Sequence, residues 1–231
     1  YLVGQPTFTE NTISTNADDA RSVYAVDVDG DGDMDVLSAS NEDDKIAWYE
    51  NDGSGSFTEH IITTGADGAR SVYAVDVDGD GDIDVLSASG VGDKIEWYEN
   101  NGSQSFTAHT IFSGPGWWNT YSVYAKDVDS DGDMDVLSAS INDDRIAWYE
   151  NNGSQSFTEH VISTSADGPW SVFAVDVDGD GDIDVLSASA NDDKIAWYEN
   201  NGSQSFTAHT ITTNADYARF VYAADVDSDG D

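Results

Sequence analysis

Residues 27–35 read DVDGDGDMD, five aspartates in nine positions. The stretch returns as DVDGDGDID at 76–84, DVDSDGDMD at 127–135 and DVDGDGDID at 176–184, and begins again as DVDSDGD at 225–231. The intervals between first aspartates are 49, 51, 49 and 49 residues. A fixed period of this size marks a repeat architecture, and its reading decides the fold. One whole unit, residues 71–116, is SVYAVDVDGDGDIDVLSASGVGDKIEWYENNGSQSFTAHTIFSGPG. It holds four short segments rich in Val, Ile, Tyr, Trp, Thr and Phe: SVYAVDV, IDVLSAS, KIEWYEN and SFTAHTI. Turn residues bound each one, and Asn-Gly before the fourth predicts a hairpin. No segment carries a sustained helical period.

Four antiparallel strands in about 49 residues is the size of a propeller blade. A lone blade exposes two faces, so neighbours must cover it. Trp48, Trp97, Trp148 and Trp197 share one repeat position and are expected to pack between blades. The fold class is therefore all-β, a β-propeller of four-stranded antiparallel blades. The units divide as residues 17–65, 66–116, 117–165 and 166–214. Residues 1–16 match the end of a unit (strand four), and 215–231 match the start of a truncated one. The chain thus reads as part of a longer one.

Of 231 residues, 46 are acidic and 8 basic, for a net charge of −38. That excludes nucleic acid and anionic membrane surfaces, which need a basic face. Hydrophobic residues make up 39% and aromatic ones 11%, so the chain folds in spite of its charge. There is no cysteine, hence no disulfide and no thiolate chemistry. No apolar run is long enough for direct insertion into a membrane.

The stretch SVYAVDVDGDGDMDVLSAS, residues 22–40, resembles the FG-GAP / VCBS repeat, the unit of integrin-α-type propellers and of many secreted bacterial proteins. The resemblance extends over essentially the whole chain. It implies a propeller, commonly of seven blades, with calcium between the first two strands of each blade. It also implies an extracellular or cell-surface setting.

Physical chemistry agrees with a cation there. Four carboxylates held ~5 Å apart form six repelling pairs, together roughly 5 kcal/mol even at the dielectric constant of water. Calcium is a hard ion that accepts six to eight oxygens in flexible geometry. Asp27, Asp29 and Asp31 take positions one, three and five; Gly32 turns the loop at six; Asp33 offers its carbonyl at seven; Asp35 closes the shell at nine. The same assignment gives Asp76, Asp78, Asp80, Asp82 and Asp84; Asp127, Asp129, Asp131, Asp133 and Asp135; and Asp176, Asp178, Asp180, Asp182 and Asp184. Asp225, Asp227, Asp229 and Asp231 form a fifth, incomplete set. An EF-hand is excluded, because position twelve is Ser38, Ser87, Ser138 or Ser187 rather than Glu, and the flanks are strands. Four divalent ions leave the net charge near about −30.

The copies differ in the loops after strands two and four. The residue before strand one is Arg21, Arg70, Tyr121, Trp170 or Arg219, and an insertion places Trp117 and Trp118 in one loop. Antiparallel order puts these loops on one face and the aspartate loops on the other. The varied face is expected to bind a protein or glycan through Trp117, Trp118, Tyr121, Trp170, Arg21, Arg70 and Arg219. No catalytic constellation is found. His60, His109, His160 and His209 recur singly and read as outer-strand surface residues. Asn101, Asn152 and Asn201 read as turn residues, and Lys45, Lys94, Arg145 and Lys194 as local ion pairs. The expected function is non-catalytic binding or adhesion. The alternatives are the propeller of a secreted polysaccharide-degrading enzyme, or a building block of a surface assembly.

Overall fold

The computed structural model describes residues 9–226. They form four sheets of four antiparallel strands, each a meander in chain order. The first blade is β1 (Ala20–Val26), β2 (Asp35–Ser40), β3 (Lys45–Asn51) and β4 (Phe57–Thr63). The second is β5 (Ala69–Val75), β6 (Asp84–Ser89), β7 (Lys94–Asn100) and β8 (Phe106–Ser113). The third is β9 (Thr120–Lys126), β10 (Asp135–Ser140), β11 (Arg145–Asn151) and β12 (Phe157–Ser163). The fourth is β13 (Pro169–Val175), β14 (Asp184–Ser189), β15 (Lys194–Asn200) and β16 (Phe206–Thr212). The first strand of each blade begins earlier than the sequence segment suggests and ends before the aspartate loop. Residues 9–16 form no strand. The hairpin between the third and fourth strands of blade two is the loop 101–105, held by Asn101 Oδ1, which accepts the N–H groups of Ser103 and Ser105.

The blades stack through their first strands: β1 lies against β5, β5 against β9, and β9 against β13. Two rows run along this inner wall. Tyr24, Tyr73, Tyr124, Phe173 and Tyr222 form a tilted aromatic file with centroids 4.7–4.9 Å apart. Beside it, each inner serine bonds the next blade. Ser22, Ser71, Ser122 and Ser171 Oγ accept the N–H of Val72, Val123, Val172 and Val221, each at 3.3 Å. Tyr222 and Val221 therefore continue both rows past the last strand.

Three apolar clusters fill the gaps between blades. Leu37 and Trp48 pack with Val72 and Val85; Leu86 and Trp97 with Val123 and Val136; Leu137 and Trp148 with Val172 and Val185. The repeated tryptophan thus packs between blades, as expected. The second and third strands contribute the most deeply buried residues, because they lie inside the blade and are covered on both faces. Their one recurrent polar pair is closed: Ser87 Oγ lies 3.3 Å from Tyr98 Oη, with like pairs in the other blades.

Leu137 is fully buried between blades three and four. Leu137→Ala is expected to destabilise by about 2–5 kcal/mol, read by chemical denaturation with the cation present. A loss below 1 kcal/mol contradicts close packing at that seam.

Candidate functional site

In each described aspartate loop three carboxylates converge: Asp27, Asp29 and Asp35; Asp76, Asp78 and Asp84; Asp127, Asp129 and Asp135; Asp176, Asp178 and Asp184. One oxygen from each member lies within 4.8 Å of the others. These are positions one, three and nine. The loop winds around its own first carboxylates. Asp27 Oδ1 accepts the N–H of Gly30 at 2.8 Å, and Oδ2 that of Gly32 at 2.9 Å. Asp29 Oδ1 accepts from Asp31 at 3.2 Å, and the second and fourth loops repeat the pattern. Position six has φ between +96° and +101° in all four copies, beyond the left-handed helical well, so only glycine serves. At position four Ser130 replaces glycine with φ +64°, a value a short polar side chain tolerates.

The ninth aspartate is the buried member. Asp35 Oδ2 accepts the N–H of Val28 at 3.0 Å, and Oδ1 that of Asn51 at 2.8 Å. Asp84, Asp135 and Asp184 make the same two bonds. One carboxylate thus ties the loop to the end of the third strand. Burial pushes Asp84 and Asp135 up to about 6, against the opposing pull of these N–H bonds. The Trp97 indole also favours the charged form of Asp84, although its N–H stays outside hydrogen-bond geometry. Asp29, Asp78 and Asp129 are raised too, by desolvation first and by neighbouring acids, among them Glu50, Glu99 and Glu150.

Three clustered carboxylates and no nitrogen or sulfur donor suit a hard divalent ion. Such an ion, when bound, supplies the positive charge that the trio lacks. Position five is not a member of the trio: Asp31 Oδ1 accepts the N–H of Asp33 at 2.8 Å, and Asp80, Asp131 and Asp180 do likewise. At position seven the Asp33 carboxylate rests on the hairpin between the third and fourth strands, where a Cβ on Gly53 would collide with its Oδ2. Asp82, Asp133 and Asp182 meet Gly102, Gly153 and Gly202 in the same way. Positions five and seven therefore lie outside the trios. Of the fifth set, Asp227, Asp229 and Asp231 lie outside the described residues.

The histidines carry a partnership that sequence reasoning missed. His60 stacks on Trp48, centroids 4.5 Å apart, and its Nε2 lies 2.7 Å from Glu50 Oε2. His109, His160 and His209 repeat both contacts, on Trp97, Trp148 and Trp197 and with Glu99, Glu150 and Glu199. The signal was the constant ten-residue offset between Glu and His. The strand-three bases form ion pairs: Lys45 with Asp43 and Glu59, Arg145 with Glu159, Lys194 with Asp192.

On the opposite face, the residue that the sequence places before strand one is the second residue of that strand and has a definite geometry. Arg21, Arg70, Tyr121 and Trp170 each sit at a register shift between the first and second strands. Such a bulge re-aims the side chain. Together with Arg219 they line one cleft of about 310 Å³, whose remaining wall is Ser22, Ser71, Ser122, Ser171 and Phe220. The Arg70 guanidinium lies 4.6 Å from the Tyr121 ring centre, Tyr121 meets Trp170 edge-on at 4.5 Å, and Arg219 lies 4.2 Å over Trp170. Trp117 and Trp118 are elsewhere. Trp118 stacks on Phe112 under the Arg145 guanidinium, 4.7 Å away, and its N–H bonds Asp93. Trp117 is 59% exposed and touches Trp118 edge-on.

A family model described as an FG-GAP-like repeat matches four times, at residues 27–87, 76–138, 127–187 and 176–231. No curated protein matches the chain in sequence. Among solved structures, an Agrocybe aegerita lectin, described as recognising non-reducing terminal N-acetylglucosamine, is similar at 20% identity and TM-score 0.59, over 84% of this chain and 52% of its own. The V. cholerae biofilm matrix protein Bap1 is similar at 24% identity and TM-score 0.52, over 80% of this chain and 27% of its own. A periplasmic gluconolactonase of Pseudomonas aeruginosa is similar at 14% identity and TM-score 0.59, over 87% of this chain and 55% of its own. At these identities the likeness is one of fold, shared by binding proteins and enzymes alike. The chain spans about half the length of the lectin and the gluconolactonase, and less of Bap1.

Asp78→Asn or Asp84→Asn is expected to lower the calcium count per chain by one in titration calorimetry. Asp82→Asn, altered where the carboxylate meets the hairpin, is expected to keep the count and lower the melting temperature. The pH response should reverse with the cation. In chelator, the raised Asp84 and Asp135 take up protons in the folded state below about pH 6, before the unfolded chain does near 3.9. Stability should then rise as pH falls from 7 towards 4, by up to about 3 kcal/mol per group. In millimolar calcium protons compete with the ion, and the melting temperature should fall over the same range. Parallel pH curves in the two conditions would contradict a cation at these carboxylates.

Proposed function

The chain belongs to the FG-GAP-like repeat family, and on that premise we propose that it is a calcium-stabilised extracellular β-propeller that binds a protein or glycan ligand without chemistry. Calcium is structural in this reading. It sits at the Asp27, Asp76, Asp127 and Asp176 loops, neutralises each trio and holds the hairpin between strands one and two. Millimolar calcium outside cells would keep loops of this kind filled. Each filled site then stabilises the fold by mass action, about 2.7 kcal/mol at a hundred times its Kd.

The observation that carries the binding role is the cleft, where a variable position of the repeat is brought to one place by four bulges. Variation confined to one face of a regular scaffold is the usual arrangement of a recognition surface. Aromatic and arginine side chains are the commonest anchors of such surfaces. The lining offers hydrogen-bond donors and ring edges, which suit holding a ligand. Likeness in fold to a lectin and to a biofilm matrix protein supports the same reading. Trp117 and Trp118 belong to a second, outer part of this face.

A glycan array probed with the full chain in millimolar calcium is expected to give binding that disappears in chelator. Trp170→Ala should weaken any hit at least tenfold while calcium loading stays intact. Unchanged binding in that variant would remove the cleft from the proposal, and binding that survives chelation would separate the ligand site from the calcium-held fold.

A further inference from the structure

We propose that the cleft recognises an acidic oligosaccharide, its carboxylate or sulfate groups held by Arg70 and Arg219; this rests on the binding role above and specifies its ligand. The chain has four arginines and 46 acids, yet three of the four arginines line this one cleft. Arg21 is paired with Asp19 at 2.5 Å, and the fourth, Arg145, with Glu159 at 2.8 Å. Among the described residues Arg70 and Arg219 have no carboxylate within ion-pair distance. Arg70 Nε is buried without any hydrogen-bond partner. In so acidic a chain, two guanidinium groups without a counter-ion are where an anion gains most.

Their setting prepares them for one. Each guanidinium sits over a ring, Arg70 over Tyr121 and Arg219 over Trp170. Ring contact restrains a guanidinium while leaving N–H groups to bind a carboxylate or sulfate. Two aromatic rings stand between the two cations. That spacing suits a ligand with anionic groups set along its length better than a lone small anion. The serine row selects a sugar over an acidic peptide. Ser71, Ser122 and Ser171 each accept a backbone N–H through Oγ, so each retains its O–H to donate to ligand hydroxyls. The net charge of −38 repels a folded acidic protein. A slender saccharide entering the cleft is screened from the aspartate loops on the far face within a Debye length of about 8 Å.

The test is titration of the full chain in millimolar calcium with tetragalacturonate, its neutral methyl ester, a sulfated heparin tetrasaccharide and tetraglutamate. One or both acidic saccharides should bind at least tenfold tighter than the ester and the peptide. Arg70→Gln and Arg219→Gln should each lower that affinity about tenfold, with calcium count and melting temperature unchanged. Arg70→Lys should restore part of it. Acidic-saccharide affinity that ignores both substitutions would assign binding to calcium bridging at the aspartate loops and overturn the inference. Equal affinity for the ester, or for tetraglutamate, overturns it as well. If neither acidic saccharide binds, the inference fails; neutral hits on the array then leave the binding role standing, and a blank array removes both.

Discussion

The arrangement depends on one buried carboxylate per blade. Asp84, wholly buried, accepts an N–H from Val77 in the loop and another from Asn100 at the end of the third strand. It therefore fixes the loop to the sheet, and it does so at a place where a charge is hard to maintain. Burial first, and then the neighbouring Asp78, push it up to about 6 against the pull of those N–H bonds, and two more carboxylates stand within 4.8 Å. The ionised form accepts both N–H bonds best, and a positive ion beside it would favour that form. Each blade repeats the same three converging carboxylates.

That fixed face is the counterpart of a free one. The loop after the first strand and the hairpin after the third meet through Asp33 and Gly53, so neither can change without the other. At the opposite ends of the strands a recurrent bulge presents whichever side chain stands there. Arginine, tyrosine and tryptophan all occupy it without disturbing the pairing of the strands. The molecule thus keeps a constant end and a varied end on the same strands.

Much of this was legible in the chain. The 49-residue interval, the alternation around each aspartate loop and the recurrent tryptophan identified blades, strands and the packing between them, since each is a local pattern repeated four times. The convergence of positions one, three and nine was legible only as a larger set, because composition cannot distinguish a carboxylate facing inward from Asp31, which bonds its own turn, or Asp33, which rests on the hairpin. Trp118 and Tyr121 looked equivalent as aromatic residues of the varied face. Only the register shift sends Tyr121 into the cleft, while Phe112 and Arg145 enclose Trp118. The stack of His60 on Trp48 joins residues on different strands, and nothing in a single segment announces it.

The serine row has a consequence for how such a chain comes to exist. Each link joins a serine to a backbone N–H one unit onward, 50 residues away in three cases and 52 in the fourth. Because the donor is a main-chain group, these links do not depend on which side chains the next blade carries. The apolar side chains at the seams recur in every copy as well, so duplication of the unit lengthens the arc with an interface already in hand. The same indifference exposes the chain to mispairing while it folds, since a blade meets several neighbours that would fit. The insertion carrying Trp118, which encloses Asp93 and Arg145 at one junction, gives that junction an identity the others lack and so sets the order in which the blades belong.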